Sequence, residues 1–168
     1  LDTQDTQEII ETVVRIAPAF GGINLEDISA PRCFEIEEAL KERLDIPVFH
    51  DDQHGTAIVV LAGVINALRL TGKKKEDCRV VVNGAGSAGI AITKLLLTYG
   101  FSHVTMCDKS GILSKGAEGL NWMQEKMMDV TNLEHRTGTL ADAMKGADIF
   151  VGVSAPGIVT QDMVASMN

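Results

Sequence analysis

Two acidic pairs, Glu26-Asp27 and Asp51-Asp52, each close a short apolar stretch and stand before a helical pattern. Hard carboxylate oxygens suit a divalent cation such as Mg²⁺ or Mn²⁺. Three of them with a chelating substrate and water complete an octahedron. The competing reading is helix capping, since aspartate is a favoured N-cap and its charge suits the positive end of the helix dipole. His50 and His54 flank the second pair. Zinc ligation would need a further soft ligand at useful spacing and a helix already begun at His54, so structural or supporting roles are expected for both.

A second chemistry lies in Gly84-Ala85-Gly86-Ser87-Ala88-Gly89, a G-x-G-x-x-G run between a β-branched stretch, Cys78 to Val82, and a helical pattern, Ile90 to Leu97. In that context the first glycine permits a tight turn. The second lets backbone approach a pyrophosphate, and the third lets helix pack on strand. The free N–H groups at the helix start face phosphate oxygens. Asp108, 19 residues past Gly89, ends the next strand, where a carboxylate accepts hydrogen bonds from ribose hydroxyls. Such an acid favours NAD, whereas Lys109 and Ser110 beside it could accommodate the 2′-phosphate of NADP. The plain alternative is a glycine-rich connecting turn.

These groups need elements to place them. Ile9, Ile10, Val13, Val14 and Ala17 recur at helical spacing between Asp5 and Ala17, and Pro18 ends that helix. A strand is expected within Ala19 to Leu25, a helix from Pro31 to Leu44 and a strand at Pro47 to Phe49. An apolar helix from Thr56 to Leu70 is closed by Gly72. Beyond Asp77, strands at Cys78 to Val82, His103 to Cys107 and Ile149 to Val153 alternate with helices. That order implies parallel βαβ units with right-handed crossovers, a Rossmann-type sheet. Ser114 to Arg136, with Met123, Met127 and Met128 around Trp122, reads as a surface helix and loop.

Composition narrows the rest. Of 168 residues, 15 are Lys or Arg and 23 Asp or Glu, a formal charge of −8, which offers no basic footprint for nucleic acid or an anionic membrane. Hydrophobic residues at 45% with aromatics at 4% describe a globular chain with an aliphatic core. Cys33, Cys78 and Cys107 form no CxxC pair and are expected to be reduced, buried thiols in a cytoplasmic protein. The longest unbroken apolar run, Ala57 to Ile65, is short of the about 20 residues a bilayer requires, so no membrane span is expected.

The run Phe49-His50-Asp51-Asp52-Gln53-His54-Gly55-Thr56-Ala57, continuing to Val64, resembles the signature of malic enzymes. Phe20-Gly21-Gly22-Ile23-Asn24-Leu25-Glu26-Asp27-Ile28 is similar to that family's metal-binding segment. The glycine loop and Val153-Ser154-Ala155-Pro156-Gly157 follow in the family's order, so the likeness covers essentially the whole chain and is closest to the shorter, bacterial type. The resemblance implies oxidative decarboxylation of L-malate to pyruvate and CO₂ with reduction of NAD or NADP, dependent on Mg²⁺ or Mn²⁺, in a homo-oligomer. It implies Glu26, Asp27 and Asp52 as metal ligands and Asp51 as a catalytic group beside them. Gly84, Ala85, Gly86, Ser87, Ala88, Gly89, Asp108 and Ser154 would hold the cofactor. Residues 1–48 would be the end of a metal-bearing α/β substrate domain, and 49–168 a Rossmann-type NAD(P)-binding domain incomplete at its C-terminus.

The family's lysine base and tyrosine acid lie upstream of the metal segment. The 25 residues before Glu26 contain neither Lys nor Tyr, and the sole tyrosine, Tyr99, falls on the helix after the glycine loop. The chain therefore resembles an internal section of such an enzyme, expected to be inactive alone. Two other readings stay open. One is a malolactic enzyme, which releases lactate; the other is a module that holds a dinucleotide without turnover.

Overall fold

The computed structural model describes all 168 residues, Leu1–Asn168. Its first part pairs α1 (Thr6–Ile16) and α2 (Arg32–Arg43) with strands β1 (Ile23–Leu25) and β2 (Val48–His50). The Asp5 carboxylate accepts from the Glu8 N–H and caps α1, and a 3₁₀ turn, Ala17–Ala19, carries Pro18. β1 and β2 run parallel, with Ile23 opposite Val48 and Leu25 opposite His50. Ile9, Ile10, Val13, Leu25, Ile36, Leu40 and Val48 fill the core between these helices and strands. β1 is shorter than its apolar stretch. β2 extends to His50, so the division expected after residue 48 falls inside that strand.

A five-residue π-helical turn, Asp51–Gly55, leads without a break into α3 (Thr56–Thr71), which ends at Gly72 in the left-handed conformation. Then follow β3 (Arg79–Asn83), α4 (Ser87–Tyr99), β4 (His103–Asp108), β5 (Gly111–Ile112), α5 (Trp122–Met127), α6 (Leu140–Met144), β6 (Ile149–Gly152) and α7 (Gln161–Ala165). The second sheet has the order β5-β4-β3-β6, with β3 parallel to both β4 and β6 and only β5 antiparallel. β3 is apolar through its middle because both its faces are covered. Val80 and Val82 pack with α3 and α4, while Val81 packs with α6.

Two expectations are corrected. Within Ser114 to Arg136 the loops are largely exposed as expected, but one face of the helix is not at the surface. Met123, Met127 and Met128 are buried against Cys33, Phe34, Ile90 and Met106, so α5 closes a core that joins α2 to the second sheet. The expectation that no stretch is long enough for a membrane span also fails. The helical stretch Asp51–Thr71 has 21 residues, and its most apolar 18-residue window has mean hydropathy 1.4, so it is long and apolar enough to cross a bilayer by length and composition. Asn66 and Arg69 interrupt the run without ending the helix. One side of α3, with Ala57, Val60, Leu61, Val64 and Leu68, packs on the core shared with α4, and Ile58, Val59 and Leu70 stay exposed.

Candidate active site

The two parallel strands deliver the acidic pairs to one end of their sheet. Because Leu25 stands opposite His50, Glu26-Asp27 and Asp51-Asp52 leave the carboxyl ends of adjacent strands side by side. The link between them is direct: the Asp27 backbone N–H donates to Asp52 Oδ2 at 2.9 Å. Asp27 has φ of +57°, a conformation that aspartate adopts more readily than most residues. None of the four side chains caps a helix. α2 is preceded by Pro31 and α3 by Gly55, neither with a side-chain cap, and the π turn starts from an uncapped His50. The capping alternative is thereby removed.

The carboxylates are not gathered into a cluster of three metal-ligating groups. Glu26 Oε1 instead accepts from Asn24 Nδ2 at 3.2 Å. Asp51 folds back over Gly55, where an added Cβ would overlap its Oδ1. A side chain at 55 would displace the Asp51 carboxylate from that position. As a donor set these residues fit a hard cation. All offer carboxylate oxygens, and no basic side chain forms an ion pair with any of them.

The histidines behave as structural groups. His54 lies inside the helical turn, earlier than expected, with Nε2 2.6 Å from Glu37 Oε1. His50 is wholly buried, and neither ring nitrogen has a protein partner.

The glycine loop lies where the chain leaves β3 toward α4 and β4 on one side and β6 returns on the other. That crevice is the topological switch point at which open α/β sheets bind ligands. Gly84 has φ of +113°, and a Cβ there would lie 2.6 Å from the Val153 carbonyl oxygen. A Cβ on Gly89 would overlap the Gly84 carbonyl, so the third glycine allows α4 to approach the loop. Gly86 differs from both. A Cβ there meets nothing within 4 Å, leaving space over its backbone. No side chain caps the N-terminus of α4, where Ser87 and Ala88 follow Gly86 and Ala85 is buried below.

Ser154 is tied to this end of the sheet by Asn83, whose Nδ2 donates to Ser154 Oγ at 2.9 Å. A cleft of about 550 Å³ opens beside it, lined by Asp108, Lys109, Ser110, Thr139, Ser154 and Ile158 among others. The Asp108 carboxylate is already oriented there. Its Oδ1 accepts from the Lys109 N–H at 2.8 Å, and Oδ2 faces Gln124 Nε2 at 3.4 Å. Gln124 also donates to the Ala85 carbonyl at 3.0 Å, and its own carbonyl accepts the Asn121 N–H in a capping box. This buried amide joins the glycine loop to Asp108. The N-x-x-Q spacing of Asn121 and Gln124 was the sequence signal for the cap that holds it.

Other reactive side chains lie away from these two sites. Tyr99 sits at the far end of α4 from the glycine loop, with Lys75 Nζ 4.4 Å from its ring centre. Lys41 pairs with Glu37 at 2.8 Å. The cysteines are free and buried; burial pushes the Cys33 thiol up to about 11 and that of Cys107 up to about 12.

Comparison with known proteins agrees with this arrangement. Residues 53–168 match the family model described as malic enzyme, NAD binding domain, and residues 2–41 match malic enzyme, N-terminal domain. The NAD-dependent malic enzyme of Geobacillus stearothermophilus is 56% identical over 99% of this chain, which spans 35% of that protein. A bifunctional malic/malolactic enzyme of Bacillus subtilis is 52% identical over 99% of this chain and 41% of its own length. The solved structure of an NAD-dependent malic enzyme from Thermotoga maritima superposes with a TM-score of 0.97 at 46% identity, covering all of this chain and 45% of that one. The chain thus spans less than half the length of these relatives. With the greater part of its residues matched by the NAD-binding model and the acid pairs and glycine loop in that order, the chain belongs to the malic enzyme family.

Proposed function

We propose that this protein serves the oxidative decarboxylation of L-malate to pyruvate and CO₂, coupled to reduction of NAD or NADP. The observation that carries the reading is the pairing of Leu25 with His50, which brings the two acidic pairs to one sheet end, the second of them in a turn that packs against α4, the helix of the glycine loop. Glu26, Asp27 and Asp52 would hold Mg²⁺ or Mn²⁺. Glu26 leaves its Asn24 hydrogen bond to do so. Asp51, folded over Gly55, stands beside them as a polar group facing bound substrate. The backbone of Gly84 to Gly89 receives the cofactor phosphates, Asp108 the adenosine ribose, and Ser154 flanks the crevice. When bound, the cation supplies Lewis-acid polarisation of the malate C2 oxygen, and the dinucleotide accepts the C2 hydride.

Residues 1–48 then form the metal and substrate part and residues 49–168 the NAD(P)-binding part. Two family models, one ending at residue 41 and the other beginning at residue 53, support a division in that region. A homo-oligomer working in the cytoplasm is part of the same reading, supported by free, buried cysteines and by family membership.

The malolactic alternative has one observation in its favour, the Bacillus subtilis relative whose activity is described as both. Lactate in place of pyruvate as product distinguishes them.

The purified protein is expected to bind L-malate in a Mn²⁺-dependent manner, read by calorimetry. Malate binding that ignores Mn²⁺ would contradict the site.

A further inference from the structure

The turn that carries Asp51 and Asp52 is held from outside. Its next two residues both reach Glu37 in the middle of α2: His54 Nε2 lies 2.6 Å from Glu37 Oε1, and Gln53 Nε2 donates to Oε2 at 3.5 Å. Glu37 is the exception on its helix. Glu35, Glu38 and Glu42 are exposed, whereas Glu37 is only 5% exposed. Burying a carboxylate is costly unless other groups satisfy it. Lys41 supplies a cation at 2.8 Å, but from the same helix, so only His54 and Gln53 connect Glu37 to the turn.

That turn needs an external hold. The Thr56 N–H reaches back to the Asp51 carbonyl, five residues away, a π-type bond that occurs mainly in single turns at functional sites. Its α-helical alternative would rotate Asp51 and Asp52 about the helix axis. Asp52 Oδ2 would then move away from the Asp27 N–H it now accepts.

We propose that Glu37 is a positioning residue for the metal site: by clamping His54 and Gln53 it fixes the π turn, and with it the direction of the Asp52 carboxylate toward the Asp27 N–H. Glu37 itself bonds to none of the carboxylates of Glu26, Asp27, Asp51 and Asp52. The inference rests on the reading of Asp52 as a metal ligand.

Mn²⁺ titration of the purified protein, followed by the electron paramagnetic resonance signal of free Mn²⁺, tests it. Glu37→Met is expected to weaken Mn²⁺ binding about tenfold or more, the range seen when partners supporting metal ligands are removed. Glu37→Gln, whose carbonyl still accepts one bond, recovers part of the loss. His54→Gln breaks the same clamp from the other side, so its loss and that of Glu37→Met should not add in the double variant. Dinucleotide affinity, read by fluorescence, stays unchanged throughout, and Lys41→Met binds Mn²⁺ as the parent does. Should Glu37→Met not fold, Glu37→Gln and His54→Gln carry the comparison.

Unchanged Mn²⁺ affinity in the Glu37 and His54 variants, while Asp52→Ala loses it, overturns the clamp alone. Fully additive losses, or an equal loss in Lys41→Met, overturn it as well. Unchanged affinity in Asp52→Ala removes the metal reading and this inference with it.

Discussion

The glycine loop and the acidic turn stand at the ends of neighbouring structural units but are built by opposite means. The loop is made of backbone. Its geometry is set by main chain, by a positive φ at Gly84, by the approach of Gly84 to the Val153 carbonyl and by that of Gly89 to the Gly84 carbonyl, which no side chain would permit. The acidic site is made of side chains from two strands, joined by one bond from the Asp27 N–H to Asp52 and braced by Glu37. A backbone site is rigid once its strand and helix form. A side-chain site depends on every group that orients it, and it is the one open to tuning.

The sharpest way to break this contrast is Gly86→Val. Space over Gly86 means that the added side chain meets no protein atom, so the fold should survive while the pyrophosphate loses its approach to the backbone. Dinucleotide binding should be abolished with little change in melting temperature. Retained binding by calorimetry would reduce the loop to a connecting turn.

A smaller effect belongs to the side chains around Asp108. Gln124→Ala removes the amide that faces Asp108 and bonds the Ala85 carbonyl, and a hydrogen bond to a charged group contributes about 1.5–3 kcal/mol. Dinucleotide affinity should fall about tenfold or somewhat more. Asp108→Ala should relax the preference for NAD over NADP. Affinities measured for both dinucleotides check the pair, and an unaltered ratio in Asp108→Ala would remove Asp108 from the ribose site.

Much of this was legible in the sequence, for reasons that differ by region. β3, the loop and α4 are contiguous, and their β-branched run, glycines and apolar pattern specify local geometry directly. The end-of-strand position of Glu26 and Asp27 was legible for the same reason. What escaped depends on partners distant in sequence. Met123, Met127 and Met128 have no periodicity that separates a surface helix from one seated on Phe34 and Met106. The helical start at Asp51 is masked because a π turn obeys neither the strand nor the α-helix period. Glu37 looks like its exposed neighbours until His54 is placed against it, and Gln124 acquires a role only when α5 docks under the glycine loop.

The least effect concerns support at the other end of the sheet. Lys73 Nζ donates to Asp148 Oδ1 at 2.6 Å and the Arg79 N–H to Oδ2 at 2.9 Å, so β6 is pinned beside β3. These bonds, the lysine's first, hold the Asp148 carboxyl below its ordinary value. A depressed folded-state pKa gives stability that is fully present above the unfolded value, about pH 4, and is lost as pH falls through the folded value. Asp148→Asn should melt earlier than the parent at neutral pH, and the gap should narrow below about pH 4. Melting curves across pH would read it, and a gap independent of pH would dissociate Asp148 from the acid limb.

The central claim is that the backbone-built and the side-chain-built sites serve one reaction centre. The most direct measurement is proton relaxation of bound dinucleotide when Mn²⁺ is added to the purified protein, with diamagnetic Mg²⁺ as the reference. If Asp52 and its neighbours hold the ion beside the nicotinamide, the nicotinamide C4 proton should broaden strongly, the adenine protons much less, and Asp52→Ala should abolish the difference. Equal broadening at both ends of the cofactor, or none, would contradict a shared centre.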